Sequence, residues 1–347
     1  MSGDLVLITG ATGLVGFGVL RAALEHGYRL RAAVRSEQKA EIIRSNPTLK
    51  GISEDQLSFV IVPDILADGA FDEAVKGVKF ILHVASPVPR LDLTGYDDLD
   101  AEIVQPAIQG TVGIFKSAQK AGGVQRIVVT SSGAALVPMS AFTGTTDEVV
   151  GPDSRGEPLP SPYMNNAQIA YNASKIHALK HAEDFIATEQ PGFDAVHIHP
   201  VIVLGRNELA LKAAEVDNGS LSFAIGPVVG RHHPTPFPLT VTSLTSVALA
   251  HVRALDPKVP GNQSYLLANK GDEGYHWDDV KEYAKKHFPK AIEDGTLPNN
   301  GSMTGFGIKA DVSKTEEILG IREKTFEEMM IEVIGQYVEL AAKEKAQ

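Results

Sequence analysis

Residues 5–16 read LVLITGATGLVG, and this stretch decides the fold. Leu5 to Thr9 is a short apolar run of strand type, glycines follow at 10, 13 and 16, and apolar residues at helical spacing run from Leu14 to His26. Glycine is required where the chain turns tightly, where its backbone must approach a pyrophosphate, and where the helix must pack close to the sheet. The helix N-terminus then offers unpaired N–H groups to an anion. The spacing is GxxGxxG rather than GxGxxG, so the order strand, glycines, helix carries the reading. No Gly-Lys-Ser or Gly-Lys-Thr follows, which excludes a Walker loop. Thr9, Gly10, Thr12, Gly13, Leu14, Val15 and Gly16 are the residues expected to meet a dinucleotide.

Outward from this loop the same unit repeats. Further strands are predicted at Arg29 to Val34, Ser58 to Val62, Lys79 to Val84, Arg126 to Ser131 and Ala195 to His199, with helical spacing over Glu102 to Ala121 between them. Strands alternating with helices predict an α/β fold, a Rossmann-type doubly wound parallel sheet with a smaller C-terminal substrate-binding lobe. Two long stretches, Val137 to Ala167 with five prolines and Gly205 to Pro238, break the pattern and read as lids or substrate-binding insertions. Past residue 200 helices are expected at Ser243 to Ala254, Trp277 to His287, Val312 to Leu319 and Phe326 to Lys343, with a strand at Gln263 to Ala268. The expected division is a cofactor domain over 1–199 with returning segments at about 235–270, and a substrate lobe from 200–234 and 271–347.

Composition narrows the function. The chain has 347 residues, 43% hydrophobic and 22% charged, ordinary values for a globular protein with a real core. Lys plus Arg number 32 against 43 for Asp plus Glu, a net charge of -11 that argues against nucleic acid or an anionic membrane as partner. Cysteine is absent, so disulfides, thiolate metal sites and a cysteine nucleophile are excluded together. No apolar stretch approaches the roughly 20 residues needed to span a bilayer. The start MSGDLVLITG lacks a basic region and long apolar core, so a cytoplasmic protein is expected.

The choice between the two nicotinamide cofactors rests on the end of the second strand, where an acidic residue normally accepts the ribose 2'-hydroxyl. Here it reads Val34-Arg35-Ser36. Arg35, with Lys39 one helical turn on, can grip a 2'-phosphate through charge-assisted bonds, which predicts NADP(H). Arg31 lies within the strand and is a weaker candidate. After the third strand Asp64 and Ile65 are placed to cap the adenine ring. After the fourth, the run His83-Val84-Ala85-Ser86-Pro87 brings small residues to the crevice, and Val84, Ala85 and Ser86 are its expected cofactor contacts.

Tyr171 and Lys175 form a YxxxK pair, which on a helix sets both side chains on one face. A free phenol ionises near pH ~10, so it needs an adjacent cation to work as an acid. A hydroxyl in Thr130-Ser131-Ser132, at the end of the fifth strand, can hydrogen-bond a substrate carbonyl. Glycine loop, strand-end serine and YxxxK helix follow one another along the chain, and together they are stronger evidence than any one of them alone.

On TGATGLVG, VVTSSGA and YNASK, with HVASP, PAIQGT, AHVRAL and DVSKTEEILG as secondary landmarks, the chain resembles the extended short-chain dehydrogenase/reductase family. Within it the resemblance is to the branch of dihydroflavonol reductases and fungal methylglyoxal and aldehyde reductases. That resemblance implies Ser132 as the catalytic serine, Tyr171 as acid and Lys175 as its modulator. It also implies that His199-Pro200-Val201 runs along the nicotinamide, with Pro200 and Val201 as contacts. Val88, where some aldehyde reductases of the branch carry phenylalanine, and Gly205-Arg206, where the family has Gly-Pro, depart from the pattern and leave substrate identity open.

The expected activity is NADPH-dependent hydride transfer to an aldehyde or ketone, acting on a small molecule, with the chain a monomer or homodimer. A nucleotide-sugar epimerase or dehydratase on the same scaffold is the second reading, and a non-catalytic NADP sensor the third. No metal is expected. His177 and His181 stand at helical spacing without a glutamate between them and read as helix surface, and His197 and His199 read as packed or hydrogen-bonded near the cofactor.

Overall fold

The computed structural model describes residues 3–86, 95–138, 140, 148–270 and 274–346. Strand β1, Leu5–Thr9, runs into helix α1, Leu14–Glu25, and the same step repeats as β2 Arg29–Val34, α2 Glu37–Arg44 and β3 Leu57–Ile61. There follow β4 Phe80–His83, α3 Gln105–Ala121, β5 Arg126–Thr130, α4 Ala167–Glu189 and β6 Asp194–Pro200. Residues 201–262 leave the sheet, adding α5 at Leu244–Arg253, and the chain returns as β7, Gln263–Leu267. All seven strands pair in parallel in the order β7-β6-β5-β4-β1-β2-β3, the doubly wound arrangement that the sequence predicts.

Alternation along β1 shows how the layers form. Val6 and Ile8 point to one face and pack with Val19 and Leu20 of α1 and Val252 of α5. Leu7 points to the other and joins Ile114 and Phe115 of α3 and Ala182 and Phe185 of α4. All three are fully buried, as a central parallel strand must be. The register sets Thr9 level with Ala33 and His83, and Thr130 level with Ile198, so the loops leaving β1, β4, β5 and β6 gather at one edge. That edge is where open α/β sheets bind ligands.

The sequence-derived boundaries differ from the observed ones where local sterics intervene. Helical spacing begins at Glu102, but Asp100–Val104 forms a turn of π-helix and α3 proper starts at Gln105. Pro106, with no N–H to donate, stands in that first α-helical turn. The stretch Gly205 to Pro238, read as irregular, contains helices at Ala213–Val216 and Leu221–Ile225, too short to show a period. Leu221 and Ile225 pack with Trp277, Phe326, Met329, Met330 and Val333 in a second apolar cluster, which draws on helix α6, Val280–His287, and helix α7, Phe326–Lys345. Short parallel pairs, Ile202–Leu204 with Val241–Ser243 and Phe237–Pro238 with Gly305–Phe306, tie this region together.

Candidate active site

The turn after β1 has the geometry its glycines predict. Gly10 has φ +75°, and a Cβ there would stand 2.7 Å from the backbone nitrogen of Ala85. A Cβ on Gly16 would stand 2.0 Å from the Gly10 carbonyl oxygen, so the first turn of α1 can seat against the loop only with glycine. Gly13 differs. Its Cβ would meet nothing closer than 3.6 Å, and the residue is exposed at the N-cap of α1 with no side chain capping the helix. The N–H groups of Leu14, Val15 and Gly16 therefore face outward from an uncapped helix end, the donor set that a pyrophosphate takes. These residues fit a dinucleotide.

Thr9 is 1% exposed and reaches the site through its neighbour. Its Oγ1 accepts from the backbone N–H of Val84 at 3.1 Å and of Ala85 at 3.0 Å, and pairs with His83 Nδ1 at 3.0 Å. With the Thr9 oxygen already taking two N–H groups, its own hydrogen goes to the imidazole, which must then be neutral at Nδ1. Burial, with the Lys175 ammonium adding to it, pushes His83 down to about 4. The loop after β4 is thereby pinned beside the glycine turn, with Val84, Ala85 and Ser86 half-buried. Pro87 and Val88 lie outside the described residues.

Arg35 is exposed just past β2 and makes no ion pair among the described residues, whereas Arg31 is committed to the carbonyls of Ala74 at 2.8 Å and Lys76 at 2.7 Å. Lys39 is exposed on the first turn of α2, whose N-cap is Ser36. Among the described residues, two cations without an ion pair thus border the strand end where the sequence lacks a carboxylate. Asp64 is exposed and its Oδ1 accepts from the Leu66 N–H at 2.9 Å, fixing the turn after β3, and Ile65 packs against the apolar layer under it.

Across the crevice, α4 presents Tyr171 and Lys175 one turn apart. The helix starts cleanly because Asn166 Oδ1 accepts from the N–H groups of Gln168 at 2.8 Å and Ile169 at 3.1 Å. Lys175 is buried, its Nζ donates to Ser86 Oγ at 2.9 Å, and it stands 5.5 Å from the centre of the Tyr171 ring. Tyr171 is half-buried. Ser132 follows β5 in an extended conformation, φ −156° and ψ 150°, and its Oγ accepts from the Ala134 N–H at 3.2 Å. That leaves the Ser132 hydroxyl hydrogen available to a substrate oxygen. Pro200 closes β6, and Val201 packs over Gly133, whose Cβ would stand 2.8 Å from Val201 Cγ1. His197 and His199 are both buried on one face of β6 with rings 6.2 Å apart. His177 and His181 lie on α4, with His181 Nδ1 held to the His177 carbonyl oxygen at 2.8 Å.

Sequence reasoning passed over two residues near this site, Arg155 and Ser264, and placed His199 near the cofactor without its partners. Arg155, Ser264 and His199 form a hydrogen-bonded chain that ends on Ser132. No local signal marks Arg155 or Ser264, which stand 109 residues apart.

A seven-stranded doubly wound sheet, an uncapped helix end behind a glycine turn, and a buried lysine held between the loop after β4 and a tyrosine ring define a protein of the nicotinamide-dinucleotide-binding Rossmann class. The chain belongs to the NAD dependent epimerase/dehydratase family, whose profile matches residues 6–222. It is 37% identical to a ketoreductase of Cercospora beticola, with 99% of this chain and 98% of the relative covered. It is 34% identical to an NAD-dependent epimerase/dehydratase of Alternaria alternata, over 92% of this chain and 94% of that one. The crystal structure of the yeast methylglyoxal/isovaleraldehyde reductase with NADPH shares the fold at TM-score 0.79 and 22% identity, covering 98% of this chain and 99% of the other.

Proposed function

We propose that this protein is an NADPH-dependent reductase that turns an aldehyde or ketone into an alcohol. The observation that carries the reading is the placement of Lys175, buried, tied to Ser86 and facing the Tyr171 ring. The ketoreductase name of a relative matched over nearly its full length supports it, and NADPH in the yeast reductase is in keeping with the free Arg35 and Lys39.

NADPH, when bound, supplies the hydride. The Ser132 hydroxyl, with its oxygen occupied by Ala134, donates to the substrate carbonyl oxygen and holds it in place. Tyr171 gives its phenolic proton to that oxygen as negative charge develops there. Lys175 sets a positive charge beside the phenolate left behind, and its bond to Ser86 keeps that charge from swinging away. The outward N–H groups of Leu14 to Gly16 would hold the pyrophosphate, with Arg35 and Lys39 on the 2'-phosphate, Asp64 and Ile65 by the adenine, and Val84 to Ser86 with Pro200 and Val201 along the nicotinamide side. In this reading residues 1–199 with the return at about 235–270 serve the cofactor, while 200–234 and 271–347 form the substrate lobe.

An epimerase or dehydratase acting on a nucleotide sugar would need cations for a diphosphate. Two arginines of the lobe, both in 200–234, are already neutralised: Arg206 pairs with Glu339 at 2.9 Å and Glu208 at 3.6 Å, and Arg231 pairs with Asp217. That favours a less charged carbonyl substrate. We further read the protein as cytoplasmic and as a monomer or a homodimer joined through α3 and α4, a choice that sedimentation analysis makes. NADPH consumption across a panel of aldehydes, ketones, diketones and nucleotide sugars tests the activity. Tyr171→Phe is expected to bind NADPH normally and lose most turnover, and wild-type rates in that variant would refute the mechanism.

A further inference from the structure

His199 is the most buried polar residue near the proposed catalytic serine, with 0% of its surface exposed, and it touches neither cofactor-loop nor YxxxK residues through any hydrogen bond among the described residues. Its Nδ1 lies 3.2 Å from the carbonyl oxygen of Ser132. A carbonyl can only accept, so Nδ1 carries the proton. Nε2 is then an acceptor, and the Ser264 hydroxyl donates to it at 3.0 Å. The Ser264 oxygen in turn accepts from Arg155 at 3.4 Å, and Arg155 is clamped by Glu183 through bonds of 2.6 and 3.4 Å and by the Pro152 carbonyl at 3.0 Å. Every hydrogen in this chain has one consistent assignment. Burial, with His197 and Arg155 adding to it and the bond to Ser132 opposing, holds the imidazole neutral well below its usual range.

The other end of the chain explains why this matters for Ser132. Its carbonyl oxygen already accepts from the Ala135 N–H at 3.0 Å, so the imidazole fills the second lone pair. Its Oγ is held by Ala134, and the next residue, Gly133, is packed under Val201. The imidazole is therefore one of two donors that fix the plane of the peptide after Ser132.

We propose that His199 is a positioning residue for Ser132: its Nδ1–H fixes the serine carbonyl so that the hydroxyl hydrogen is aimed at the substrate oxygen, while Ser264 and Arg155 hold the imidazole in that tautomer. The proposal rests on the reductase reading above. His199→Leu is expected to lower kcat about tenfold, the effect of one lost hydrogen bond on aim, with KM for NADPH unchanged. His199→Asn, whose amide can donate to Ser132, is expected to restore kcat to within about threefold of wild type. In a Ser132→Ala background His199→Leu should cost nothing further, because its effect passes through the missing hydroxyl. Nitrogen-15 NMR of the histidines gives a readout independent of turnover, and one His199 signal pair with protonated Nδ1 and bare Nε2 is expected from pH 5 to 8. An equal kcat loss in both backgrounds, no rescue by asparagine, or the opposite tautomer overturns the proposal. Failure of the reductase reading shows separately, as full turnover in Tyr171→Phe.

Discussion

Replacing Gly16 with alanine tests whether the helix seats on the loop as closely as its geometry implies. The new Cβ would stand 2.0 Å from the Gly10 carbonyl oxygen and 2.5 Å from its carbon, and both are backbone atoms that no rotamer change can move. The start of α1 must therefore retreat by roughly 1 Å, a forced overpacking that costs about 1–3 kcal/mol. For a chain of this length that lowers Tm by about 1–4 °C. The same retreat lengthens the bonds from the Leu14–Gly16 amides to a bound pyrophosphate, and losing one charge-assisted bond of about 1.5–3 kcal/mol weakens NADPH binding ten- to a hundredfold. Gly13→Ala is the control. Its Cβ meets only a 3.6 Å contact and its φ of −107° suits alanine, so Tm should hold while NADPH binding weakens. Thermal melts and fluorescence titration with NADPH measure both quantities. Gly16→Ala with wild-type Tm and affinity, or Gly13→Ala melting below it, would refute the reasoning.

Arg35→Asp should raise the NADPH requirement at least tenfold and change that for NADH far less, and parallel shifts in steady-state KM for the two cofactors would exclude the 2'-phosphate role. Acid should destabilise the fold through its buried histidines: His83, His197 and His251 are pushed down to about 4 by burial. The unfolded chain binds their protons from pH ~6.5 downward while the folded one does not, so stability is full above that pH and is lost towards pH 4, by on the order of 3 kcal/mol per residue. Melts across that range should fall steeply, and His251→Asn should flatten the fall. Asp194→Ala leaves the buried Arg126 guanidinium, now bonded to the carboxylate at 2.5 and 2.9 Å, without its counter-charge and with only the Ala254 and Asp256 carbonyls as partners, and should cost about 3 kcal/mol in denaturant unfolding. Because the pair sits at the amino end of its strands, kcat should stay near wild type.

Most of the scaffold was legible because each signal is local. β1, β2 and the start of α1 fall where the sequence places them, since an apolar run, three glycines and a helical period meet within a dozen residues. The YxxxK pair and the strand-end serine were legible for the same reason. What escaped depends on contacts across the chain. The link from His199 to Ser132 joins residues 67 apart, and its support by Ser264 comes from a strand 65 residues further on. Nothing in either neighbourhood announces it. Thr9 reads as a cofactor contact by position, and only the parallel register with β4 shows its hydroxyl spent on Val84 and Ala85. Helices of four or five residues carry no period to read.

The late return of β7 has a consequence for how the molecule is made. Until residues 263–267 are in place, β6 is an open edge, with a row of unpaired backbone groups flanked by Val196 and Ile198, both fully buried in the finished protein. Such an edge is a template for pairing with another chain. A fragment ending near residue 199 would carry every residue of the proposed catalytic trio and still be prone to aggregate. Synthesis from the N-terminus passes through that vulnerable state each time, because the 62-residue excursion between β6 and β7 must emerge before the edge is covered.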